Sequence, residues 1–384
     1  MRSAIAEIPI VDHHAHALIR IDEPLTPATF AAFFSEGGDA IIRRDHAPNN
    51  LVYRRTFHDL ATFLGCEATP AAVIAARAAR EPGAHARRLV ADAGIESFLI
   101  DHYFESDSNH SLAEMPGLTG AGIHPVLRLE SVLEELIVEH DDLGDLLDAF
   151  GTRIRSAREH GTVALKSIIA YRTGLAIGDP GRGDAAQALT ALAATARREG
   201  KPRLADKCLL DFCLRFALEL ASELRLPVQI HTGYGDPDLD LRAANPLLLR
   251  PLLEDPRYRC APLVLLHASY PYVRESSYLS SVYGHVYSDV SLVIPFAVSD
   301  MRAIWRQMLA LAPLSKVLYA SDGFSIPELY WTGARWARES LADVLSELIE
   351  LGALDKREAL ESARWILHDN AYRLYALADQ EGSP

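Results

Sequence analysis

Short apolar runs alternate along this chain with longer segments in which apolar residues recur every three and four positions. A short apolar run predicts a strand buried on both faces, and the three–four spacing predicts a helix with one buried side. Eight runs read as strands: Ile8–Val11, Phe98–Asp101, Ile123–Leu129, Val163–Ile169, Val228–Ile230, Leu263–Leu266, Val286–Val293 and Lys316–Tyr319. Helical patterns lie between them. Asp206–Leu224 is one, ended by Pro227, which also opens the next strand. Ser299–Leu311, with Ser299 as its N-cap, and Leu341–Leu351 are others. A last helix over Lys356–Leu377 is expected to pack against the wall of the fold. Strands alternating with helices in this way predict an α/β protein with a parallel sheet, here a (β/α)8 TIM barrel.

Two stretches break the repeat. Residues 17–97 are too long for a plain strand-to-helix connection. They read as largely helical, with breaks at Pro24, Pro27, Pro48, Pro70 and Pro82, and are expected to form a cap or lid over the barrel mouth. Residues 172–203 form a second excursion, rich in Gly and Ala. No linker is visible, so residues 1–384 read as one domain with the helical insertion 17–97 inside it.

Composition narrows the partners. With 384 residues and 49% hydrophobic content, the chain can bury one large core. A formal net charge of -14 argues against nucleic acid and anionic membrane. A small-molecule substrate is the expected partner, and a homo-oligomer the expected assembly. The opening MRSAIAEIPIVDHHAH lacks the basic region and long apolar run of a signal peptide. Cys66, Cys208, Cys213 and Cys260 form no CxxC pair and read as reduced thiols, so a cytoplasmic location is expected.

The candidate chemistry lies at strand ends. Asp12-His13-His14-Ala15-His16 follows the first strand, and an extended backbone turns residues two apart to the same side. His14 and His16 can therefore share one metal. Alone, such a pair is also what a solvated strand end looks like. His231 follows the fifth strand, His267 the sixth, and Asp322 closes the eighth. A barrel builds its active site at the C-terminal ends of its strands. Four such ends carrying ligand types in one chain outweigh the ordinary reading of each as a packed polar residue. Imidazoles with a carboxylate suit Zn2+, Mn2+ or Fe2+ better than Ca2+. Lys166 sits in the apolar run of the fourth strand. Either it pairs with a carboxylate, or its depressed pKa lets it form a carbamate able to bridge two metals. Arg172, Tyr234, Arg242 and Tyr270 fall in loops after these strands and are candidates to hold a substrate carboxylate. Each could equally be a surface ion pair or a core tyrosine.

These residues, with the blocks IVDHHAH, LKSIIAYRTGL, QIHTGYGDPDLDLRAANPLLLRPLLED, VLLHASYPYVRESSYLSSVYGHVYSDVSL and LYASDGFSIPELYWTGAR, resemble the amidohydrolase superfamily and its FluG and nodulin-like amidohydrolase-related branch. The resemblance implies His14, His16 and Asp322 on one metal, His231 and His267 on a second, and a carbamylated Lys166 between them. In the one-metal variant, His14, His16, His231 and Asp322 hold the ion and His267 contacts the substrate. It further implies hydrolysis of an amide or other C–N bond, with a γ-glutamyl-like molecule among the expected substrates and Asp322 as proton shuttle. A metal-dependent decarboxylase of the same superfamily is the alternative, and a non-catalytic binding scaffold the minor one. FluG-type proteins often carry a glutamine-synthetase-like domain as well, and no such domain is expected within these residues.

Overall fold

The computed structural model of the protein describes residues 1–101 and 108–377. Eight parallel strands form one sheet in sequence order. They are β1 (Ile10–Ala15), β2 (Ile95–Asp101), β3 (Gly122–Arg128), β4 (Ala164–Ser167), β5 (Val228–Ile230), β6 (Leu263–Leu265), β7 (Val286–Asp289) and β8 (Val317–Leu318). Each is hydrogen-bonded to the next in parallel register, from Ile10 beside Ile95 to Asp289 beside Leu318. The seam between β8 and β1 is closed above the short β8. Asp322 N–H donates to His14 O at 2.9 Å and His16 N–H to Gly323 O at 2.8 Å. The chain is a (β/α)8 barrel.

Strand limits differ from the apolar runs where polar residues continue the ladder or apolar ones leave it. β1 starts two residues later than expected and runs through Asp12, His13 and His14, all buried. β7 stops at Asp289 rather than Val293, because Leu292 turns to a positive φ of 59°. β4 ends at Ser167, and Ile169–Tyr171 form a turn of 3₁₀ helix.

The outer helices follow their sequence signals. Lys207–Leu224 begins at Asp206, whose side chain accepts the Leu209 N–H, and it buries Leu210, Cys213, Leu214, Ala217 and Ala221. Met301–Met308 starts at Asp300, not at Ser299, and Asp300 makes no side-chain cap. The helix expected over Leu341–Leu351 is the second half of a 24-residue helix, Pro327–Glu350. The last expected helix is broken into Lys356–Arg364, a π-helical turn at Trp365–Asp369, and Asn370–Leu374. Its end does more than lie on the wall. Ala371 and Tyr375 pack with the barrel residues Val11, Leu99, Val264 and Leu318. The Tyr375 hydroxyl meets His13 Nδ1 at 3.0 Å and Gln229 Nε2 at 3.1 Å.

The segment after β1 divides in two. Residues 95–97 of the expected insertion belong to β2, and Pro82–Ala93 is an outer helix packed on Pro327–Glu350. The part before it carries the helices Leu51–Leu64 and Pro70–Ala78. Glu328 fastens this part to the barrel. Its fully buried carboxylate meets Arg77 Nε at 2.6 Å and His85 Nε2 at 2.9 Å. Burial alone would raise the carboxyl, but Arg77 and then His85 hold it down at about 2. Its contribution to stability is therefore complete above its ordinary value of 4.5 and is lost as pH falls through about 2. Glu328→Gln leaves the Arg77 guanidinium without its counter-charge and is expected to cost about 3–5 kcal/mol at neutral pH. Urea unfolding at pH 7 measures it, and wild-type stability there would count against the network.

Candidate metal centre

The six ligand candidates meet at the C-terminal mouth of the barrel. His14 lies within β1 and His16 just past it; Lys166 lies within β4; His231, His267 and Asp322 follow β5, β6 and β8. His14, His16 and Asp322 form the tightest group, with one ligand atom from each lying within 4.8 Å of the others. Asp322 Oδ1 is 3.2 Å from both His14 Nε2 and His16 Nε2. The hydrogen bonds that close the β8–β1 seam hold these residues together, because they run between the backbones of the same residues.

The other three join from the sides. Lys166 Nζ is 3.1 Å from His14 Nε2, and His267 Nδ1 is 3.5 Å from Asp322 Oδ2. His231 is reached through His267, its Nδ1 being 2.9 Å from His267 Nε2. The arrangement thus gathers three residues that could hold one metal ion and keeps His231 and His267 paired with each other.

Several backbones here are strained. His267, Ala268 and Ser269 have φ of 65°, 50° and 49°, and Asp322 has φ of 50°. Residues with a Cβ occupy this region at a cost, and such residues gather at functional sites. Asp289 Oδ1 accepts the His267 N–H at 2.7 Å, which anchors the turn. Gly233 lets the loop after β5 cross this turn, since a Cβ there would lie 2.2 Å from the Ser269 carbonyl carbon. Gly235 keeps space beside His231, where a Cβ would lie 2.0 Å from the Tyr171 hydroxyl oxygen.

The electrostatics suit a cation. Burial, and then the Lys166 charge, lower His14 to about 4. Burial also drives His231 and His267 well below the usual imidazole range. Burial thus favours the neutral form of these rings, in which one of the two ring nitrogens is an acceptor. Burial would raise Asp322, but the surrounding imidazoles hold it well below the usual carboxylate range, so it is ionised. Lys166 falls to about 8 through burial, against the opposing pull of Asp101 and Asp322. His14 Nδ1, His231 Nε2 and Asp322 Oδ1 are buried without hydrogen-bond partners. His16 Nδ1 lies 3.0 Å from the Asp101 carbonyl oxygen; donating there leaves the Nε2 lone pair facing Asp322. Two imidazoles and a carboxylate whose ligand atoms converge within 4.8 Å fit a divalent cation such as Zn2+.

A cavity of about 260 Å³ opens beside this group, lined by His14, His16, Lys166, His231, His267 and Asp322. Of the expected carboxylate-holding residues, only Arg172 lines it. Its Nη2 donates to Glu134 at 3.1 Å, and its buried Nε has no partner. Arg242 does not line it: the side chain is 90% exposed and paired with Asp240. Tyr234 and Tyr270 line a separate cavity of about 310 Å³ with Phe34, Val52, Val293 and Phe296. The side chains of these three residues lie away from the cluster, although Asp236 and Asp238 on the same loop as Tyr234 and Arg242 line the first cavity. The sequence reading missed Glu36 and Arg128, which line the cavity, and Asp101, whose Oδ2 accepts from Arg128 Nη2 at 2.6 Å. Arg128 had a signal, a charge ending an apolar run as Lys166 does. Glu36 had none.

Residues 179–377, which include β5 to β8, match the family model described as amidohydrolase. The chain belongs to the amidohydrolase family. This amidohydrolase is 29% identical to Protein fluG of Emericella nidulans over an alignment that covers 100% of the chain and 47% of that protein. The chain thus spans about half the length of the curated relative it matches. Among solved structures, it is similar to a protein of Lactobacillus casei ATCC 334 assigned as a metal-dependent hydrolase. That match has a TM-score of 0.88 and 28% identity and covers 100% and 99% of the two chains. The uronate isomerase of Thermotoga maritima shares the fold, with a TM-score of 0.68, 14% identity and coverage of 97% and 96%. All four cysteines are free, and no helix among the described residues is long and apolar enough to cross a membrane.

Proposed function

We propose that this amidohydrolase cleaves an amide or other C–N bond of a small, carboxylate-bearing substrate with the help of one divalent cation, Zn2+, Mn2+ or Fe2+. The observation that carries this reading is the convergence of His14, His16 and Asp322 beside a cavity at the barrel mouth. When bound there, a divalent ion supplies Lewis acidity and makes water a stronger acid at neutral pH. Asp322, ionised and facing the cavity, takes the proton of the attacking water and delivers it to the leaving nitrogen. His267 lines the same cavity and contacts the reacting carbonyl. The free Nε edge of Arg172 receives the substrate carboxylate. The segment between β1 and Pro82 acts as a lid, since Glu36 from it lines the cavity.

A carbamate on Lys166 would be needed to bridge two ions, and its position beside His14 and its lowered pKa allow that form. The pairing of His231 with His267 favours the arrangement with one ion. That same feature supports a second reading, a decarboxylase, which needs one ion and no bridge. Metal analysis of the purified protein is expected to give about one ion per chain. Activity should be lost on chelation and restored by Zn2+ or Mn2+. Release of ammonia or an amine without CO2 supports C–N hydrolysis, and stoichiometric CO2 overturns it in favour of the decarboxylase.

A further inference from the structure

The cavity beside the ligand cluster contains a carboxylate with nothing to bind. Glu36 follows the 3₁₀ turn Ala32–Phe34 and lines the cavity together with His14, His16 and Asp322. The residue as a whole is half-buried, but its Oε1 is buried and accepts no hydrogen bond. The arginines lining the same cavity already have carboxylate partners. Arg128 is on Asp101 at 2.6 Å, Arg172 on Glu134 at 3.1 Å and Arg203 on Asp238 at 2.8 Å. None of the ion pairs among the described residues includes Glu36. Asp236, a second half-buried carboxylate, lines the cavity as well, and its Oδ1 accepts the Asp238 N–H.

A carboxylate oxygen withdrawn from water without a donor is costly, and a ligand that supplies the donor in this cavity removes that cost. We propose that Glu36 is a specificity-determining residue that binds a primary ammonium group on the substrate, with Asp236 adding to the negative field. The inference rests on the proposal that this cavity takes the substrate. Together with the free edge of Arg172, it describes a substrate that carries both an ammonium and a carboxylate.

The titration of Glu36 agrees with this geometry. In the protein alone, burial first, then Asp322 and Asp236, push its carboxyl up to about 8. A cation held by Asp322 would offset the Asp322 contribution and leave the burial. An ammonium against Oε1 supplies the missing partner and favours the ionised form.

The test uses the full chain loaded with Zn2+ and pairs of amides that differ only in the ammonium: L-glutamine against glutaramate, and L-alaninamide against propionamide. Binding is read as the rise in melting temperature at a series of ligand concentrations, and turnover separately as ammonia release. The ammonium-bearing members are expected to bind the wild type more tightly. Glu36→Gln, which keeps the shape and removes the charge, is expected to weaken those members by about 10–100-fold, the usual value of a hydrogen bond to a charged group. The des-amino members should be unchanged, and any loss in turnover should fall on KM with kcat kept. Tighter ammonium binding that is lost in Glu36→Gln, without turnover of any amide, upholds the inference while the C–N reading fails. Three results overturn the inference: no discrimination by the wild type, including no binding of either member; equal weakening of both members; or a fall in kcat alone, which would make Glu36 a proton donor instead.

Discussion

Asp322→Asn is expected to lower kcat by about 10²–10⁴, the usual share of general acid–base catalysis, with KM little changed and most of the metal retained. The substitution is informative because it leaves almost everything else in place. Asp322 has a φ of 50°, a conformation that Asn tolerates better than most residues, so the turn after β8 should persist. Its backbone N–H continues to donate to His14 O and keep the seam closed. The Asn carbonyl oxygen keeps one donor atom in the group formed with His14 and His16. What disappears is a base. Asp322 is ionised because the imidazoles around it outweigh the cost of its burial, and an amide in the same place accepts no proton. If Asp322 only capped the segment after β8, the variant would lose a little stability and turn over normally. Full metal content with wild-type kcat would show that it is not the base.

Removing both imidazoles of β1 should act earlier, on metal itself. His14→Ala with His16→Ala takes two of the three residues that converge on one point. Loss of a partner outside the ligand set costs metal proteins about 10–100-fold in affinity, and loss of two ligands should cost more. The double variant is expected to purify without the ion and to show no turnover above background. Circular dichroism and thermal melting, compared with the wild-type protein stripped by chelator, separate metal loss from unfolding. Retention of the full complement of metal would sink the assignment of both histidines.

Most of the barrel was legible in the sequence because its signals are local. A parallel strand buried on both faces must be apolar throughout, so each run marked its own strand to within a few residues. The position of His14, His16, His231, His267 and Asp322 at strand ends followed from the same count, since the chain reaches the mouth wherever a strand stops. Local rules failed where burial no longer implies an apolar residue. Asp12, His13 and His14 continue β1 although they are polar, because they meet partners from distant elements, Ser321, Tyr375 and Lys166. The loops failed for a related reason. Arg242, Tyr234 and Tyr270 follow strands that carry ligand candidates, yet a loop can leave a strand end in many directions, and these three face solvent or another cavity.

By itself, then, the sequence determined the eight-fold alternation, the barrel and the residue types gathered at its mouth, because each depends on neighbours within one run of chain. Only the tertiary structure decided which of those residues touch. The seam bonds bring β1 and the end of β8, more than 300 residues apart in the chain, into one candidate ligand group, and leave His231 and His267 paired to its side. Packing of the segment after β1 placed Glu36 in the cavity. No periodicity records such contacts, because they are set by the closure of the barrel and by which loops fold back across it, and not by the residues beside them in sequence.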